Sequence, residues 1–244
     1  MLAPGRYARA DASPRPPPDL RHVECWIFDL DNTLYSAHCG VFDQIDARMT
    51  LFVARHFGLD LREAVHLQKA LYRDHGTTLN GLMREHGVDA DAYLAYVHDV
   101  ALDALAPSHA LAAGLERLPG RRFVFTNGCR RHAERVLARL AIESAFEDIW
   151  DIRTTDFVPK PAAQAFETVT ARSGIAPRRA AMFEDMARNL VPAHGLGMTT
   201  VWLRNDSPWS RQGPDHPVPE PAHIHYETDD LARFLGEIAV ANPA

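Results

Sequence analysis

Short apolar segments that alternate with amphipathic helical patterns constrain the fold of this chain more than any other feature. The apolar segments lie at residues 23–28, 122–126, 149–152, 180–183 and 199–203. Their length and polar boundaries are typical of strands that are buried on both faces of a sheet. Strands that alternate with helices form right-handed βαβ units, which assemble a parallel sheet covered by helices. The sequence therefore predicts an α/β fold with a doubly wound, Rossmann-like sheet.

Apolar residues three and four positions apart predict the helices that cover this sheet. One predicted helix spans residues 133–140, and another spans residues 231–238. A third contains Phe166 and Val169, and we expect Pro161 in its first turn, where proline is tolerated.

The stretch between the first and second predicted strands breaks the alternation. Residues 41–118 contain only helical patterns, and glycines mark the ends of several predicted helices. These helices are expected at about residues 45–53, 61–72, 77–85 and 93–105. A helical block of this length exceeds a single crossover helix. We therefore expect a separate all-helical cap subdomain over the edge of the sheet.

The rest of the chain divides into a core and two irregular segments. Residues 22–40 and 119–244 are expected to form the core domain. Residues 1–21 are rich in proline and lack the apolar stretch of a secretory signal, which predicts a flexible tail. Residues 205–221 are rich in Pro, Asp and Ser, which predicts an irregular loop.

Composition limits the classes of function. Of the 244 residues, 46% are apolar and 24% are charged, as is usual for a soluble globular protein. The formal net charge of −6 argues against binding to a nucleic acid polymer, and no apolar run reaches the ~18 residues of a membrane span. Cys25, Cys39 and Cys129 form no C-x-x-C pair, which indicates a reducing, cytoplasmic location. Monomer and homodimer both remain open.

Acidic residues follow two of the predicted strands. In a doubly wound sheet, ligands bind beyond the carboxyl ends of the strands. Asp29 and Asp31 follow the first strand, and their spacing directs both carboxylates to one side, where repulsion between them favours a cation. Glu184 and Asp185 follow the fourth strand, with Asn189 one helical turn later. The two acidic clusters are thus able to share a cation.

Groups suited to an anion follow the other two strands. Thr126, Asn127 and Gly128 lead into a helix N-terminus, and Lys160 lies between two prolines. Each motif alone also has a structural explanation, because carboxylates cap helices, Thr-Asn-Gly forms turns and such a lysine is often solvated. Their occurrence together at four successive strand ends favours a functional site.

The four motifs, in this order, resemble those of the haloacid dehalogenase-like (HAD) hydrolase superfamily. The matching text is D-L-D-N-T-L at 29–34, T-N-G at 126–128, P-K-P around Lys160 and F-E-D-x-x-x-N at 183–189. The resemblance covers about residues 23–204. It implies a HAD core with an inserted C1 cap, a small phosphorylated metabolite as substrate and Mg²⁺ as cofactor.

The resemblance also assigns roles to individual residues. Asp29 would be the nucleophile that forms an aspartyl-phosphate, and Asp31 would act as general acid and then as general base. The implied metal ligands are the Asp29 carboxylate, the Asp31 backbone carbonyl and the Asp185 carboxylate, with Glu184 as a nearby or alternative ligand. The phosphate-binding residues would be Thr126, Asn127, Gly128 and Lys160, and the outer supporting residues would be Thr33 and Asn189.

Asp31 favours a phosphatase over a dehalogenase, because the true dehalogenases of this superfamily lack the second aspartate of the first motif and need no Mg²⁺. The transport ATPases that share the nucleophile need membrane helices, which the sequence does not predict. A non-catalytic HAD-fold binding module remains an alternative, although the nucleophile, acid, lysine and acidic motif are all intact. A phosphotransferase or mutase with the same intermediate also remains open.

The predicted cap contains a short text that resembles the pyrimidine 5′-nucleotidase branch of the superfamily, Y-R-D-H-G-T-T-L-N-G-L at 72–82. This resemblance implies hydrolysis of UMP or CMP to the nucleoside and phosphate. The alternative is a HAD phosphatase of other or broad specificity, for phosphosugars or phosphoglycolate. The cap residues that could contact substrate are Tyr72, Thr77, Thr78 and His98. Tyr72 and His98 also suit a packed core, and Thr77 suits a helix N-cap.

Other conspicuous residues are given structural interpretations. Cys129 follows the Thr-Asn-Gly motif but competes poorly with Asp29 as a nucleophile. His223 and His225 alternate along a possible edge strand and would share a face, without a third metal ligand at a suitable spacing. Trp202 and Trp209 are expected to pack in the core and in a loop.

Overall fold

The computed structural model describes residues 17–205 and 222–241. Its centre is a six-stranded sheet in the order β3-β2-β1-β4-β5-β6, with every neighbouring pair parallel. The strands are β1 (Cys25–Phe28), β2 (Arg121–Phe125), β3 (Asp148–Trp150), β4 (Ala180–Glu184), β5 (Thr199–Leu203) and β6 (Tyr226–Thr228). The predicted doubly wound α/β fold is confirmed. The strand order reverses between β1 and β4, which is where such sheets bind ligands.

The two central strands are apolar because both of their faces are covered. Every residue of β1 and of β4 is buried. Trp26 and Phe28 enter the cluster on one face, and Ile27 enters the cluster on the other face. The rings of Phe28 and Phe183 stack with centroids 4.6 Å apart, which joins the two strands below the site. Burial of one such side chain contributes ~1.5–3 kcal/mol to folding.

The segment between β1 and β2 is helical, as predicted, and the described residues contain no strand there. Its helices are α1 (Val41–Phe57), α2 (Leu61–His75), α3 (Thr78–His86), α4 (Ala90–Val97) and α5 (His109–Glu116). The helices around the rest of the sheet are α6 (Arg130–Leu140), α7 (Ala163–Ser173), α8 (Leu190–Gly195) and α9 (Leu231–Glu237). We use "cap" for α1 to α4, which contact one another. In the described residues, no helix is long and apolar enough to cross a membrane.

Local capping explains where the cap helices begin and end. Asp60 and Glu63 form a reciprocal capping box at the start of α2. The Thr77 side chain accepts a hydrogen bond from the Asn80 amide at the start of α3, so the predicted helix start there is confirmed. Gly58 and Gly87 adopt the left-handed conformation that ends α1 and α3.

Two predicted helix boundaries are wrong. The helix expected over residues 93–105 ends at Val97, because guanidinium groups from α6 bind the carbonyls that follow. Arg135 donates to the carbonyls of His98 and Val100 at 2.8 and 2.9 Å. Pro161 was expected in the first turn of α7, but α7 begins at Ala163. The backbone before Pro161 is held by the Asn127 side chain instead.

The ends of the described chain also differ from expectation. Within the predicted tail, Leu20 is fully buried and its amide donates to the Ala239 carbonyl at 2.9 Å. The prediction of a flexible tail up to residue 21 is therefore wrong at its end, because Leu20 packs into the apolar core. Residues 1–16 of the predicted tail lie outside the described residues. The predicted loop at 205–221 also lies outside them except for Asn205, as does Trp209.

Helix α5 lies within the predicted cap range but packs against α9, so the division at residue 118 stays a prediction.

His223 and His225 precede β6, which begins at Tyr226, so the prediction that they share a strand face is wrong. His225 Nδ1 accepts from the Thr200 amide, whereas His223 Nε2 donates to the Ala187 carbonyl. The three cysteines are free thiols.

Candidate active site

Three buried carboxylates meet at the carboxyl ends of β1 and β4. The register pairs Phe28 with Phe183, so the residues that follow these two positions emerge side by side. One carboxylate oxygen from each of Asp29, Glu184 and Asp185 lies within 4.8 Å of the others. Two sequence-distant acidic motifs thus form one cluster at the switch point of the sheet.

Lys160 enters this cluster from the loop before α7. Its Nζ donates to Asp29 Oδ1 and to the Phe125 carbonyl, both at 2.7 Å, and lies 3.6 Å from Glu184 Oε1. Burial lowers the pKa of Lys160, but Asp29 and Glu184 outweigh burial and raise it overall. The lysine therefore stays charged although only 1% of its side chain is exposed.

One lysine does not balance three carboxylates. Burial raises the pKa of Asp29, and it raises that of Glu184 well above its usual range with the help of Asp29. Burial and Asp29 also raise the pKa of Asp185 to about 8. In the described part of the chain, Glu184 Oε2 is buried without a hydrogen-bond partner. An all-oxygen cluster short of positive charge, with an unpartnered oxygen, fits a hard divalent cation such as Mg²⁺.

The loop after β2 lines the same cavity as the acidic cluster. The Gly128 amide donates to Thr126 Oγ1 at 2.9 Å, and the Asn127 side chain binds both the amide and the carbonyl of Lys160. A Cβ on Gly128 would lie 3.2 Å from Thr126 Oγ1 and 3.4 Å from His98 Nε2. The glycine therefore lets the backbone approach the cavity closely.

Two supporting residues contact the acidic cluster directly. Thr33 Oγ1 donates to Asp29 Oδ2 at 3.0 Å. The Asn189 side-chain amide donates to Glu184 Oε1. The Asp29 carboxylate is consequently held at both oxygens, by Lys160 on one and by Thr33 on the other.

Asp31 is held by two residues that sequence analysis missed. Tyr35 Oη donates to Asp31 Oδ1 at 2.6 Å, and His132 Nε2 lies 2.9 Å from the same oxygen. Burial raises the pKa of Asp31, but His132 and the hydrogen bonds from His132 and Tyr35 lower it overall. The available signal was a histidine on the apolar face of α6, four residues before Val136.

A cavity of about 140 Å³ separates this acidic site from the cap. Its core wall includes the motif residues, whereas its cap wall combines aliphatic and aromatic side chains with a few polar ones. The cap wall includes Phe42, Ile45, Met49, Gln68, Lys69, Tyr72, Thr77, Thr78, Tyr93, Leu94 and His98. The structure thus places all four cap candidates of the sequence analysis at this cavity.

Two arginine side chains link the cap to the core, and one of them, Arg188, lines the cavity. Arg188, one residue before Asn189, donates to Tyr72 Oη, and its guanidinium lies 4.6 Å from the centre of the Tyr72 ring. Arg153 forms an ion pair with Asp91 at the start of α4. Neither arginine stands out in the sequence, because the two pairs form only when the cap packs against the core.

His98 lies where the cap joins the loop after β2. Its Nδ1 is 3.2 Å from Cys129 Sγ, and its ring stacks on that of His132 with centroids 4.5 Å apart. Burial and the neighbouring His132 lower the pKa of His98 to about 3. His98 therefore lines the cavity as an uncharged side chain.

The fold and the site together define a doubly wound α/β protein with a buried acidic cluster, able to hold a cation, beneath a helical cap. The family model for haloacid dehalogenase-like hydrolase matches residues 23–197, and the chain belongs to this family. The predicted family resemblance is confirmed.

One curated relative is Phosphate metabolism protein 8 of Saccharomyces cerevisiae, which is 28% identical over 202 residues. The match covers 76% of this chain and 63% of that protein, so the chain spans less than two thirds of its relative.

Similar solved structures include CbbY from Rhodobacter sphaeroides in complex with phosphate, with a TM-score of 0.59 and 19% identity over 86% of this chain and 95% of that chain. A HAD phosphatase from Thermococcus onnurineus has a TM-score of 0.56 and 16% identity over 88% and 99% of the two chains. YfnB from Bacillus subtilis, bound to magnesium, has a TM-score of 0.53 and 17% identity over 88% and 97%. At these identities the likeness shows the fold alone.

Proposed function

We propose that this chain is a Mg²⁺-dependent phosphomonoesterase that acts through an aspartyl-phosphate intermediate. The observation that carries the proposal is the environment of Asp29. Its carboxylate lies between Lys160 and Thr33, beside two further acidic groups, at the floor of a cavity that also contains the Thr126–Gly128 loop. This arrangement combines a nucleophile, a cation site and an anion site.

The residues that would hold the cation are Asp29, the Asp31 backbone carbonyl and Asp185, with Glu184 close by. Bound Mg²⁺ supplies the positive charge that lets a carboxylate approach a phosphate dianion. The unpartnered Glu184 oxygen and the raised pKa values of the three carboxyls support this assignment.

The side chains of the site suit the two steps of ester hydrolysis, which are formation and then hydrolysis of the aspartyl-phosphate. An oxygen of Asp29 bonds to phosphorus while the bond from phosphorus to the ester oxygen breaks, and Asp31 gives a proton to the leaving alkoxide. Asp31 then takes a proton from water as that water attacks the aspartyl-phosphate, which releases phosphate and restores Asp29. Thr126, the loop amides and Lys160 bind the phosphoryl oxygens and offset their charge.

The proposed substrates are pyrimidine nucleoside 5′-monophosphates, UMP and CMP. The text at residues 72–82 supports this choice. The cap wall combines aromatic and apolar side chains with the hydroxyls of Thr78 and Tyr93, a composition suited to a flat base. The name of the yeast relative, Phosphate metabolism protein 8, also fits phosphate chemistry. A reducing, cytoplasmic location belongs to the same proposal and is supported by the three free thiols.

Phosphate release from UMP, CMP, phosphosugars and phosphoglycolate, measured with Mg²⁺ and with a chelator, tests the proposal. We expect Mg²⁺-dependent release with the highest kcat/KM for UMP or CMP. Asp29→Asn should lower the rate by about 10⁴-fold or more, because it removes the nucleophile. Asp103→Asn is the matched control, since the Asp103 side chain is 94% exposed.

Retained phosphate release in Asp29→Asn would overturn the mechanism. A preference for phosphosugars or phosphoglycolate would overturn only the proposed substrate.

A further inference from the structure

Among the described residues, the hydrogen bonds to the side chain of Asp31 all reach the same oxygen. Tyr35 and His132 both bind Oδ1, at 2.6 and 2.9 Å. Asp31 also lines the cavity, and its side chain is 13% exposed. With Oδ1 occupied twice, Oδ2 is the atom available for proton exchange with a bound substrate.

The position of His132 is itself determined by packing. Its side chain is fully buried on the inner face of α6, next to Ala133 and Val136 in sequence and in the core. Within the described residues, Nδ1 of His132 has no hydrogen-bond partner. A bare ring nitrogen tolerates burial better than an unpaired N–H, so the hydrogen is assigned to Nε2, which donates to Asp31.

The ring of His132 is also fixed from the cap side. The His98 ring stacks on it with an angle of 14° between the ring planes. His98 is in turn held by Cys129 at its Nδ1 and by Arg135 at its carbonyl. A ring with one side packed in α6 and one face covered by His98 has little freedom to turn.

We infer that His132 is a positioning residue for proton transfer: with Tyr35, it holds Oδ1 of Asp31 so that Oδ2 meets the leaving oxygen. The inference rests on the proposed phosphatase function and assigns this chain's own residues to its acid-base step. Misalignment of a proton donor by ~1 Å costs about 10²-fold in rate. Loss of the His132 hydrogen bond therefore slows proton transfer without removing the acid.

The nature of the leaving group separates positioning from a merely structural role. Departure of an alkoxide from UMP needs a proton, whereas p-nitrophenolate leaves p-nitrophenyl phosphate without one. The ratio kcat/KM reports the steps up to cleavage of the ester, so it isolates this difference.

The test compares kcat/KM of His132→Leu on UMP and on p-nitrophenyl phosphate. We expect a loss of about 10²-fold on UMP, mainly in kcat, and a loss below about 3-fold on p-nitrophenyl phosphate. His132→Gln places an amide N–H near the position of Nε2 and should recover most of the UMP activity. His132→Asn, whose amide is shorter, should not recover it. His109→Leu, at an exposed position of α5, is the matched control.

Equal losses on the two substrates, or no loss on either, would overturn the inference. If His132→Leu fails to fold, the Gln and Asn variants decide, since equal activity of this pair on UMP would also overturn it. A wild-type protein inactive on both substrates with Mg²⁺ would overturn the proposed function itself, whereas an active wild type with unselective losses overturns the inference alone.

Discussion

The two lysines of the chain lie on opposite walls of the same cavity and differ in nearly every property. Lys160, on the core wall, is 1% exposed and touches Asp29. Lys69, on the cap wall, is 31% exposed and lies 3.5 Å from Asp46. Asp29 and Glu184 outweigh burial and raise the pKa of Lys160, whereas burial outweighs Asp46 and lowers the pKa of Lys69. The core wall is a charged, closely bonded network, and the cap wall is a looser, more apolar surface.

This contrast suggests that the two walls contact different parts of the substrate. In the proposed function, the core wall would act on the phosphoryl group, which every candidate substrate shares. The cap wall would contact the remainder of the substrate, which varies. Substitutions in the core wall should therefore change kcat for all substrates, and substitutions in the cap wall should change preference among them.

Among the tests that compare the two walls, the largest expected effect comes from replacing Lys160, and not Lys69, with methionine. Lys160→Met should lower kcat by about 10³-fold on both UMP and p-nitrophenyl phosphate, because it removes the cation that offsets the charge of Asp29 and the phosphoryl group. Lys69→Met should change KM for UMP by less than about 10-fold and leave kcat unchanged. Steady-state kinetics of the two variants checks the comparison. Similar losses of kcat in both variants would abolish the distinction between the walls.

An intermediate effect concerns the pH dependence of stability in the core wall. Burial and Asp29 raise the pKa of Asp185 from 3.8 to about 8. A group whose pKa is raised on folding stabilises the protein fully below its unfolded pKa and loses that contribution as the pH rises through its folded pKa. The metal-free protein should therefore lose stability between about pH 4 and pH 8 as this group ionises.

Magnesium should reverse that loss, because the ionised cluster binds it. At 100 times Kd the expected gain is about 2.7 kcal/mol, or several degrees in Tm, and it should be larger at pH 8 than at pH 6. Thermal melts with and without Mg²⁺ check this, with Asp185→Asn expected to abolish the gain. A Mg²⁺ effect that is independent of pH would contradict the assignment of the raised pKa to the cation site.

The smallest expected effect lies in the cap wall. Thr78→Val keeps the shape of a buried side chain but removes its hydroxyl, and should lower kcat/KM for UMP by about 10-fold without changing that for p-nitrophenyl phosphate. Thr168→Val, at a half-buried position of α7 away from the cavity, is the control. Equal losses on the two substrates would show that Thr78 stabilises the cap rather than selects the substrate.

Much of the fold follows from local patterns in the sequence. The apolar strands and the helical insert could be predicted because strand burial and helical periodicity depend on near neighbours. The end of α4 could not, since its carbonyls are bound by Arg135, which lies far along the chain. Leu20 was missed for the same reason, because its partner is Ala239.

The candidate site shows a similar limit. The motif residues could be proposed from their positions after strands, but their mutual distances depend on β1 lying next to β4, a strand order that the sequence does not state. His132 and Tyr35 carried no motif, and their contact with Asp31 arises only when α6 packs over the loop after β1. Arg188 was missed because its partner Tyr72 belongs to the cap.

The pairing of β1 with β4 has a consequence for synthesis of the protein. Asp29 leaves the ribosome long before Glu184 and Asp185, and at 5–20 residues per second the delay is roughly 8 to 30 s. The cap helices α1 to α4, whose mutual contacts are local, can assemble during this interval. In the nascent chain the cap helices can therefore form first, and the acidic cluster is complete only when β4 pairs with β1.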